Sequence, residues 1–589
     1  MKKLRTRLND KSTSYACFEN LSNELLYEIF EYLDAYDILK SFSNLNIRLQ
    51  NLIISSSILL RIKLDLKSTS LLEYRCQHVI IPNTHRIRSI CLHDQILIEK
   101  FFDHCTIDSS FYRLESITLR EIETETLLTI LSYLNSLPRL FSLAICLEDD
   151  DDDDYYDLGN IYQFIFSLPS LKYNKLYAPG DKLQINIPHV INKKFSTIEH
   201  LVLNYRCTLN QLNSLLHYTP QLRHLFCNGV IGPDEDFKND QWMKLSHLKS
   251  IRFDDVAASF DEFEVFIKEI SSQLQVLNIS EPENKTYLDG NRWERLIKEY
   301  MPQLKTFYFR FTQNIKNNMK TNLIDSSDGF INRFNSPFWF EQKWVCEIEV
   351  YCESWVFLIR PYKKEWIDLH EHMNTGTYLK QNSIEDNDIS NPEKTNHRII
   401  QLTIEDYEFT ELNWRFINKL KSAFQAIQFT HLNIKNDSIS MNMLPDIIRL
   451  VPHIESLNLT FMLSMLPLKS SSIKHTRNHL SVSVINKVTK VKLGQVTEEE
   501  EIEFFINLCP QIEYLEVHCM SNTDVPLLMK FISMNRMTRI PNLCYLCFDF
   551  RMADENLVRT LAKIIDSDTV IGNYTIQRSG NKISVYWKL

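Results

Sequence analysis

The sequence predicts an α/β protein in which a three-helix bundle precedes a long, irregular solenoid of strand–helix repeats with an inserted β-hairpin. Three observations lead to this fold class. Apolar residues recur at helical spacing in residues 18–57, a short apolar motif recurs from residue 85 onward, and one long interval between copies carries its own alternating segment. The length of 589 residues exceeds one ordinary compact core and agrees with a repeat protein.

The predicted organisation follows these patterns along the chain. It consists of a polar tail (1–17), the bundle (18–57), a connector with some helix (58–84), a first repeat array (85–311), an aromatic hairpin insertion with a polar loop (312–397), a second repeat array (398–569) and a C-terminal capping hairpin (570–589).

Composition excludes several function classes. The net charge of -10 argues against general binding of nucleic acids or anionic membranes, because both need positive surface charge. The 13 cysteines lack the spacing of a disulfide framework, and the N-terminus lacks the apolar core of a signal peptide. We therefore expect a location inside the cell, cytoplasmic or nuclear.

With only 10 glycines the chain has no phosphate-cradling loop, and no cofactor is expected.

The N-terminal bundle carries more apolar surface than its own core requires. Leu25, Ile29 and Leu33 recur every four residues, and Leu26 with Phe30 forms a second stripe beside them. Two further short helices are predicted from Ile38, Leu39 and Phe42, and from Leu45, Leu49, Leu52 and Ile53. Because a bundle of about 40 residues is hardly stable alone, the surplus stripe is expected to meet a partner.

The segment LSNELLYEIFEYLDAYDIL, from Leu21 to Leu39, resembles the F-box. F-box proteins bind the Skp1 subunit of cullin-RING ubiquitin ligases. Ser22 stands where that family has proline, and its hydroxyl is expected to cap the first helix. By motif position, the resemblance implies contacts with a Skp1-like adaptor from Leu21, Ser22, Leu25, Ile29, Leu33 and Leu39.

The repeat motif has the form Φ-x-x-Φ-x-Φ, in which Φ is apolar and the last two apolar residues share one face of a strand. Segments between copies show helical spacing, and proline often precedes the motif. Fourteen copies begin at Ile87, Leu114, Leu140, Ile198, Leu222, Leu248, Leu274, Leu304, Ile399, Phe429, Ile454, Val488, Ile512 and Leu543. A degenerate copy at Leu171, with Asn174 in the middle apolar position, makes fifteen.

This pattern resembles the leucine-rich repeat, although the asparagine or cysteine that the family carries later in each repeat is absent. The resemblance implies a solenoid whose parallel strands form an inner face. Residues alternating with the apolar pair would point to that face, and large polar or aromatic side chains there suit protein contacts. The candidates for contacting a target are His224, Phe226, Arg252, Tyr308, Arg310, His431, Tyr514, His518 and Tyr545.

Three clusters could carry chemistry, but a structural interpretation is favoured for each. Six consecutive aspartates at residues 149–154 indicate a solvated loop, and His370 with His372 lacks a third ligand. Cys544 and Cys547 lie inside a repeat strand without a second pair, which favours packing over zinc or redox chemistry. No metal site and no enzymatic activity are predicted.

The leading hypothesis is a substrate-recognition adaptor of an SCF-type ubiquitin ligase. The bundle would bind a Skp1-like adaptor and through it the cullin, and the repeat array would bind a protein substrate of unknown identity. The alternative is an intracellular leucine-rich-repeat scaffold in which the bundle only caps the array and no ligase is recruited.

Overall fold

The computed structural model is a mixed α/β protein that divides into two compact units. Unit 1 comprises Met1–Phe253 and Glu269–Ser271, and unit 2 comprises Asp254–Lys268 and Ser272–Leu589. The structure describes residues 21–55, 58–65, 71–148, 157–180, 183–187, 195–233, 243–314, 334, 336–351, 354–361, 400–405, 429–435, 444–460, 487–496, 499–520, 523–550, 553–567 and 574–587.

The described residues contain fifteen α-helices. They are α1 (Asn23–Glu31), α2 (Ala35–Phe42), α3 (Ile47–Ile54), α4 (Leu72–Arg75), α5 (Gln95–His104), α6 (Thr124–Leu134), α7 (Gly159–Ser167), α8 (Leu209–Tyr218), α9 (Phe260–Ile270), α10 (Gly290–Tyr300), α11 (Pro337–Glu341), α12 (Leu444–Leu450), α13 (Glu499–Leu508), α14 (Val525–Arg536) and α15 (Glu555–Ser567). Among these helices none is long and apolar enough to cross a membrane.

The strands alternate with the helices along most of the chain. They are β1 (Leu60–Leu64), β2 (Ile87–His93), β3 (Ser116–Ile122), β4 (Ser142–Leu147), β5 (Tyr173–Tyr177), β6 (His200–Thr208), β7 (His224–Ile231), β8 (Ser250–Val256), β9 (Val276–Ser280), β10 (Thr306–Asn314), β11 (Trp344–Val350), β12 (Ser354–Pro361), β13 (Ile400–Ile404), β14 (His431–Ile434), β15 (Ser456–Leu459), β16 (Lys490–Val496), β17 (Tyr514–Cys519), β18 (Tyr545–Asp549), β19 (Tyr574–Ser579) and β20 (Lys582–Trp587). The last two apolar positions of every predicted motif copy lie on a strand, so these strand positions are confirmed.

In unit 1, strands β1 to β7 pair in parallel and in chain order. The motif residues are aligned from strand to strand, as Leu92 beside Leu119 illustrates. These residues are buried on the side where helices such as α5 pack. Because side chains alternate between the two faces of a strand, the intervening residues form the opposite face of the sheet. This strand order is compatible with the predicted α/β solenoid class.

Strand β1 lies within residues 58–84, which the sequence predicts as a connector with some helix. The stretch contains helix α4, but β1 also pairs in parallel with β2 and thereby adds a strand to the start of the sheet. Leu60, Ile62 and Leu64 are buried, whereas Arg61 and Lys63 are exposed. This two-residue period is typical of a strand, but it extends over only five residues.

Unit 2 contains several antiparallel strand pairings within a mostly parallel sheet. Strand β9 pairs in parallel with β10, β12 pairs antiparallel with both β10 and β11, and β11 pairs in parallel with β13. Parallel pairing then continues in order from β13 to β18. At the end of the chain β20 pairs antiparallel with β18 and β19. The described part of the predicted insertion therefore contributes strands to the sheet.

Aromatic residues of the predicted insertion lie in the core of unit 2. Trp339 is fully buried, and its ring centroid lies 4.9 Å from that of Phe334 and 5.9 Å from that of Trp344. Phe307 on β10 joins the same group at 5.5 Å from Trp344. Ring pairs at such separations add stabilisation beyond the burial of their area. These aromatic side chains are therefore packing residues.

Several predicted segments lie outside the described residues. They are the polar tail at 1–17, the first residues of the bundle at 18–20, the aspartate run at 149–154, the polar loop of the insertion together with His370 and His372, and the start of the C-terminal segment at 570–573.

Asn174 is a polar residue at a buried apolar position of the motif. It is fully buried on β5, between Leu143 of β4 and Leu201 of β6. Its Nδ2 donates to the Leu143 carbonyl oxygen at 3.3 Å, whereas its Oδ1 has no hydrogen-bond partner. A buried polar atom without a partner costs free energy.

Replacement of Asn174 by leucine is therefore expected to raise the thermal melting temperature of unit 1. The substitution removes the unpaired oxygen and matches the leucines on both neighbouring strands. Asn204→Leu is the matched control, because Asn204 lies on the opposite face of β6 and is half-buried. A melting temperature for Asn174→Leu at or below those of the wild type and the control would contradict the expectation.

Candidate functional site

The first helix of the N-terminal bundle begins at Asn23. The Ser22 hydroxyl oxygen accepts a hydrogen bond from the Leu25 backbone N–H at 3.4 Å, so the predicted serine cap is confirmed. Leu26 and Phe30 form the inner side of this helix with exposures of 0% and 1%, and the Phe30 ring packs edge-on against Phe42 with centroids 5.2 Å apart. One predicted stripe thus forms the core of the bundle.

The second predicted stripe is open to solvent. Leu25 is 47% exposed, and Leu21, Ile29, Leu33 and Leu39 are half-buried. The structure adds four exposed residues that the motif did not identify, and we call the whole set the apolar bundle surface. Its members are Leu21, Leu25, Ile29, Leu33 and Leu39, together with Tyr32 (88% exposed), Leu45 (57%), Ile47 (81%) and Ile54 (65%).

Asp34 at the start of α2 joins the bundle to the first strand of unit 1. Its Oδ2 accepts the Lys63 backbone N–H at 2.7 Å, and its Oδ1 lies 3.1 Å from Nη2 of Arg75. Burial raises the pKa of Asp34, although the Lys63 N–H and the Arg75 charge act in the opposite direction. The Arg75 guanidinium also stacks over the Tyr36 ring at 4.3 Å. The bundle is therefore held to the first strand of the sheet by polar contacts of Asp34.

Arg86 forms a second attachment, at the C-terminal end of α3. Its Nη2 donates to the Ile53 carbonyl oxygen at 2.7 Å, and its Nη1 donates to the carbonyl oxygens of Ile54 and Ser55 at 3.2 Å each. The last carbonyls of a helix have no partner within the helix, and a cation at this end is favourable. Because Arg86 is only 3% exposed, it fixes the bundle against the residues that precede β2.

Replacement of Arg86 by alanine is expected to lower the free energy of unfolding by about 3 kcal/mol, because three carbonyls would lose a charged donor. Chemical denaturation measures this change, and hydrogen exchange of the α3 amides localises it. The control is Arg88→Ala, which removes a partly exposed ion pair with Glu115 and should cost less than about 1 kcal/mol. Equal effects of the two substitutions would contradict the assigned role of Arg86.

On the sheet face opposite the helices, unit 1 presents a row of rings. Tyr173, His200 and His224 occupy matching positions on β5, β6 and β7. The two histidine rings are stacked with centroids 4.3 Å apart, and Tyr173 lies 6.4 Å from His200. In the neighbouring row, the Arg252 guanidinium lies over the Phe226 ring at 5.3 Å. The structure thus brings His224, Phe226 and Arg252 together on one accessible surface.

The predicted contact residues of unit 2 are more dispersed. Tyr308 is 36% exposed, and Arg310 is exposed with its Nε 2.9 Å from Oε1 of Glu281. His431 is half-buried, with Nδ1 2.7 Å from the Thr430 hydroxyl. These side chains do not form the close row of rings seen in unit 1.

Tyr514 and Tyr545 are not surface residues, which corrects the prediction for these two positions. They are 8% and 6% exposed and pack with Cys547, against which Tyr586 of β20 is also packed. The ring centroid of Tyr545 lies 5.0 Å from that of Tyr586. The sequence did not reveal this burial because it depends on a strand that is distant along the chain. Both tyrosines are therefore removed from the set of contact candidates.

The Cys544 and Cys547 pair takes part in this packing. Cys547 is fully buried, and burial raises the pKa of both thiols. Within the described part of the chain, no group of three or more His, Cys, Asp or Glu side chains is arranged to hold a metal ion.

His518, another predicted contact residue, is half-buried with Nδ1 3.6 Å from Oδ2 of Asp549.

In unit 2, two buried glutamates on the strands form ion pairs with neighbouring arginine and lysine side chains. Glu347 on β11 is 4% exposed and meets Arg360 at 3.1 Å, while Thr403 and Gln401 donate hydrogen bonds to it. Glu516 on β17 is 2% exposed, and its Oε1 lies 2.7 Å from Nζ of Lys582 and 3.2 Å from Nζ of Lys492.

The Glu516 carboxylate is expected to make unit 2 sensitive to acid. Burial opposes its ionisation, but Lys582 and Lys492 outweigh burial and lower its pKa below the ordinary value of 4.5. A group with a lowered pKa stabilises the fold above its unfolded pKa, and this stability is lost as the pH falls through the folded pKa. The melting temperature of the wild type should therefore fall more steeply below pH 4.5 than that of Glu516→Gln.

The control for this measurement is Glu500→Gln, which changes an exposed glutamate on α13 of the same unit. Its melting temperature should follow the wild-type dependence on pH. If Glu516→Gln also follows the wild type, the ion pairs of Glu516 do not contribute to stability as stated.

The chain was also compared with protein-family models and with curated proteins. No family model matches the chain, and no curated protein matches it. Its function is therefore inferred from the apolar bundle surface and from the accessible sheet face of unit 1.

Proposed function

We propose that this protein is a substrate-recognition adaptor of an SCF-type ubiquitin ligase. The N-terminal bundle acts as an F-box and binds a Skp1-like subunit, and the leucine-rich-repeat sheet binds a target protein. In this role the chain carries out no bond chemistry itself and works in the cytoplasm or nucleus. The hairpin within the array serves as a brace, because its aromatic residues are used in packing.

The apolar bundle surface is the observation that carries this proposal. Leu25 and Ile47 lie on short helices whose cores are already formed by Leu26, Phe30 and Leu49. Several large apolar side chains exposed on one small bundle are a feature of interaction sites in proteins. Burying one large aliphatic side chain at an interface contributes about 1.5–3 kcal/mol, so a few of these residues suffice for a stable complex.

The attachment of the bundle to the sheet of unit 1 supports the same function. An adaptor has to present its target in a fixed orientation, and the bundle is held by the hydrogen bond of Asp34 to β1 and by those of Arg86 to the end of α3. Neither Asp34 nor Arg86 belongs to the apolar bundle surface, so these contacts do not use the residues proposed to bind a Skp1-like subunit. The proposed binding of a target by the sheet face uses different residues again.

The second candidate function is a leucine-rich-repeat scaffold that recruits no ligase. The specific observation in its favour is the hydrogen bond from Lys63 to Asp34, which shows that the bundle covers an N–H of the first strand. In that case the bundle would be a cap, and its exposed leucines would have no partner of the Skp1 type.

The double substitution Leu25→Asp with Ile47→Asp is expected to abolish co-purification with a Skp1-like subunit, because it places two charges in the proposed interface. Since both side chains are exposed, the melting temperature should stay close to that of the wild type. Ile96→Asp is the matched control, because Ile96 is a 58% exposed isoleucine on α5, outside the bundle. This control should retain binding.

The same measurements separate the two candidate functions. A scaffold whose bundle is only a cap would show no Skp1-like subunit bound to the wild type. An adaptor loses its partner in the double variant and keeps its melting temperature. Retention of the partner by the double variant would overturn the assignment of the interface.

A further inference from the structure

The sheet face of unit 1 carries cations in a chain whose net charge is -10. Arg61 and Lys63 alternate on β1, Arg120 is the last residue of β3 that pairs with β2, and Lys175 lies at the centre of β5. Arg252 continues the row of Lys175, Val202 and Phe226. We call this surface the basic face and define it by these cations and three histidines: Arg61, Lys63, Arg120, Lys175, Arg252, His93, His200 and His224.

Most of these cations are not neutralised by neighbouring acids. Among the residues that the structure describes, Arg61, Lys63, Arg120 and Lys175 form no ion pair. Acids do lie near these strands: Asp65 follows β1, Glu121 lies at the bulge of β3, and Asp254 shares β8 with Arg252. Glu115 and Glu199, directly before β3 and β6, are already paired with Arg88, Arg139, Lys172 and Arg223. The corresponding face of unit 2 differs, because its cations pair with glutamates such as Glu347 and Glu516.

Two histidines of the basic face, His93 and His224, have pKa values below the ordinary value. Burial lowers the pKa of His93, and the nearby Arg120 and Lys63 lower it further, although Glu121 and Asp65 act against them. Burial also lowers the pKa of His224, and His200, Lys249 and Arg223 add to this effect. Positive charge thus acts on both sides of the basic face, so an anionic ligand would be favoured there.

The rings on the basic face distinguish between two anionic ligands. Single-stranded nucleic acids are usually held by stacking their bases on open aromatic rings. Here His200 and His224 stack on each other and the Phe226 ring is covered by Arg252, whereas Tyr177 on β5 is 38% exposed. These residues therefore do not offer the succession of open rings on which several bases would stack. A long polyanion would also be repelled by the overall negative charge, whereas a short acidic peptide is affected only by charges within about 10 Å.

We propose that the basic face binds an extended acidic segment of a partner protein, with Asp and Glu carboxylates facing Arg61, Arg120 and Lys175. Strands β1 to β7 are successive neighbours and span about 29 Å at ordinary strand spacing. Roughly nine residues of extended chain cover this distance. The identification of the partner as a ligase target rests on the proposed function, but the binding itself does not.

Fluorescence polarisation with the purified full chain tests this inference. The probe is a labelled peptide of alternating glutamate and serine, long enough to span the face, and the references are the same peptide with glutamine for glutamate and a single-stranded oligonucleotide of similar length. The acidic peptide should bind most tightly, and its affinity should fall as salt is added. The triple variant Arg61→Gln, Arg120→Gln and Lys175→Gln should bind it roughly tenfold more weakly, since each exposed ion pair contributes modestly.

A second triple variant, Lys100→Gln, Lys244→Gln and Arg559→Gln, changes the net charge by the same amount at exposed positions outside the basic face. It should bind the acidic peptide as the wild type does. The inference is overturned if the acidic peptide does not bind, if the glutamine peptide or the oligonucleotide binds as tightly, or if both triple variants lose affinity equally. Loss of Skp1-like binding is measured separately, so failure of the ligase assignment and failure of peptide binding can be told apart.

Discussion

The alignment of apolar pairs along the parallel strands is the constraint on which this structure depends. Each strand places two motif residues against the helices, and pairing in register stacks them beside the same residues of the next strand, as for Leu203 beside Leu176. A shift by one residue would move the apolar pair to the opposite face. The alternating residues are therefore also forced into rows, and the rows of rings and cations in unit 1 are a consequence of how the core is built.

The strand positions could be predicted because each apolar pair belongs to a motif of only six consecutive residues. The motif at Leu222, for example, identifies the buried residues Leu225 and Cys227 of β7 without knowledge of any other strand. What lies over a strand depends on residues far away in the chain. The burial of Tyr514 and Tyr545 beside Tyr586 was hidden for this reason. Strand β1 was hidden because its alternation is short, and with it the cations Arg61 and Lys63 of the basic face.

The two candidate surfaces were predictable to different degrees. On the bundle, the spacing of Leu25, Ile29 and Leu33 indicated a second stripe, and in the structure Leu25 is exposed while Ile29 and Leu33 are half-buried. Ile47 and Ile54 could not be recognised, because an apolar residue on a short helix can face either the core or the solvent. On the sheet, the basic face could not be predicted from the sequence. Its cations are far apart along the chain and become neighbours only through strand pairing.

The hydrogen bond between Asp34 and the backbone of Lys63 also affects how the protein can assemble with copies of itself. An open strand edge offers unpaired N–H and C=O groups to any other extended chain and can start ordered aggregation. Strand β1 pairs with β2 on one side, and the Lys63 N–H on its other side is occupied by a carboxylate. The bundle therefore does more than carry an apolar surface, because it also occupies one of the N–H groups that the first strand would otherwise offer to another extended chain.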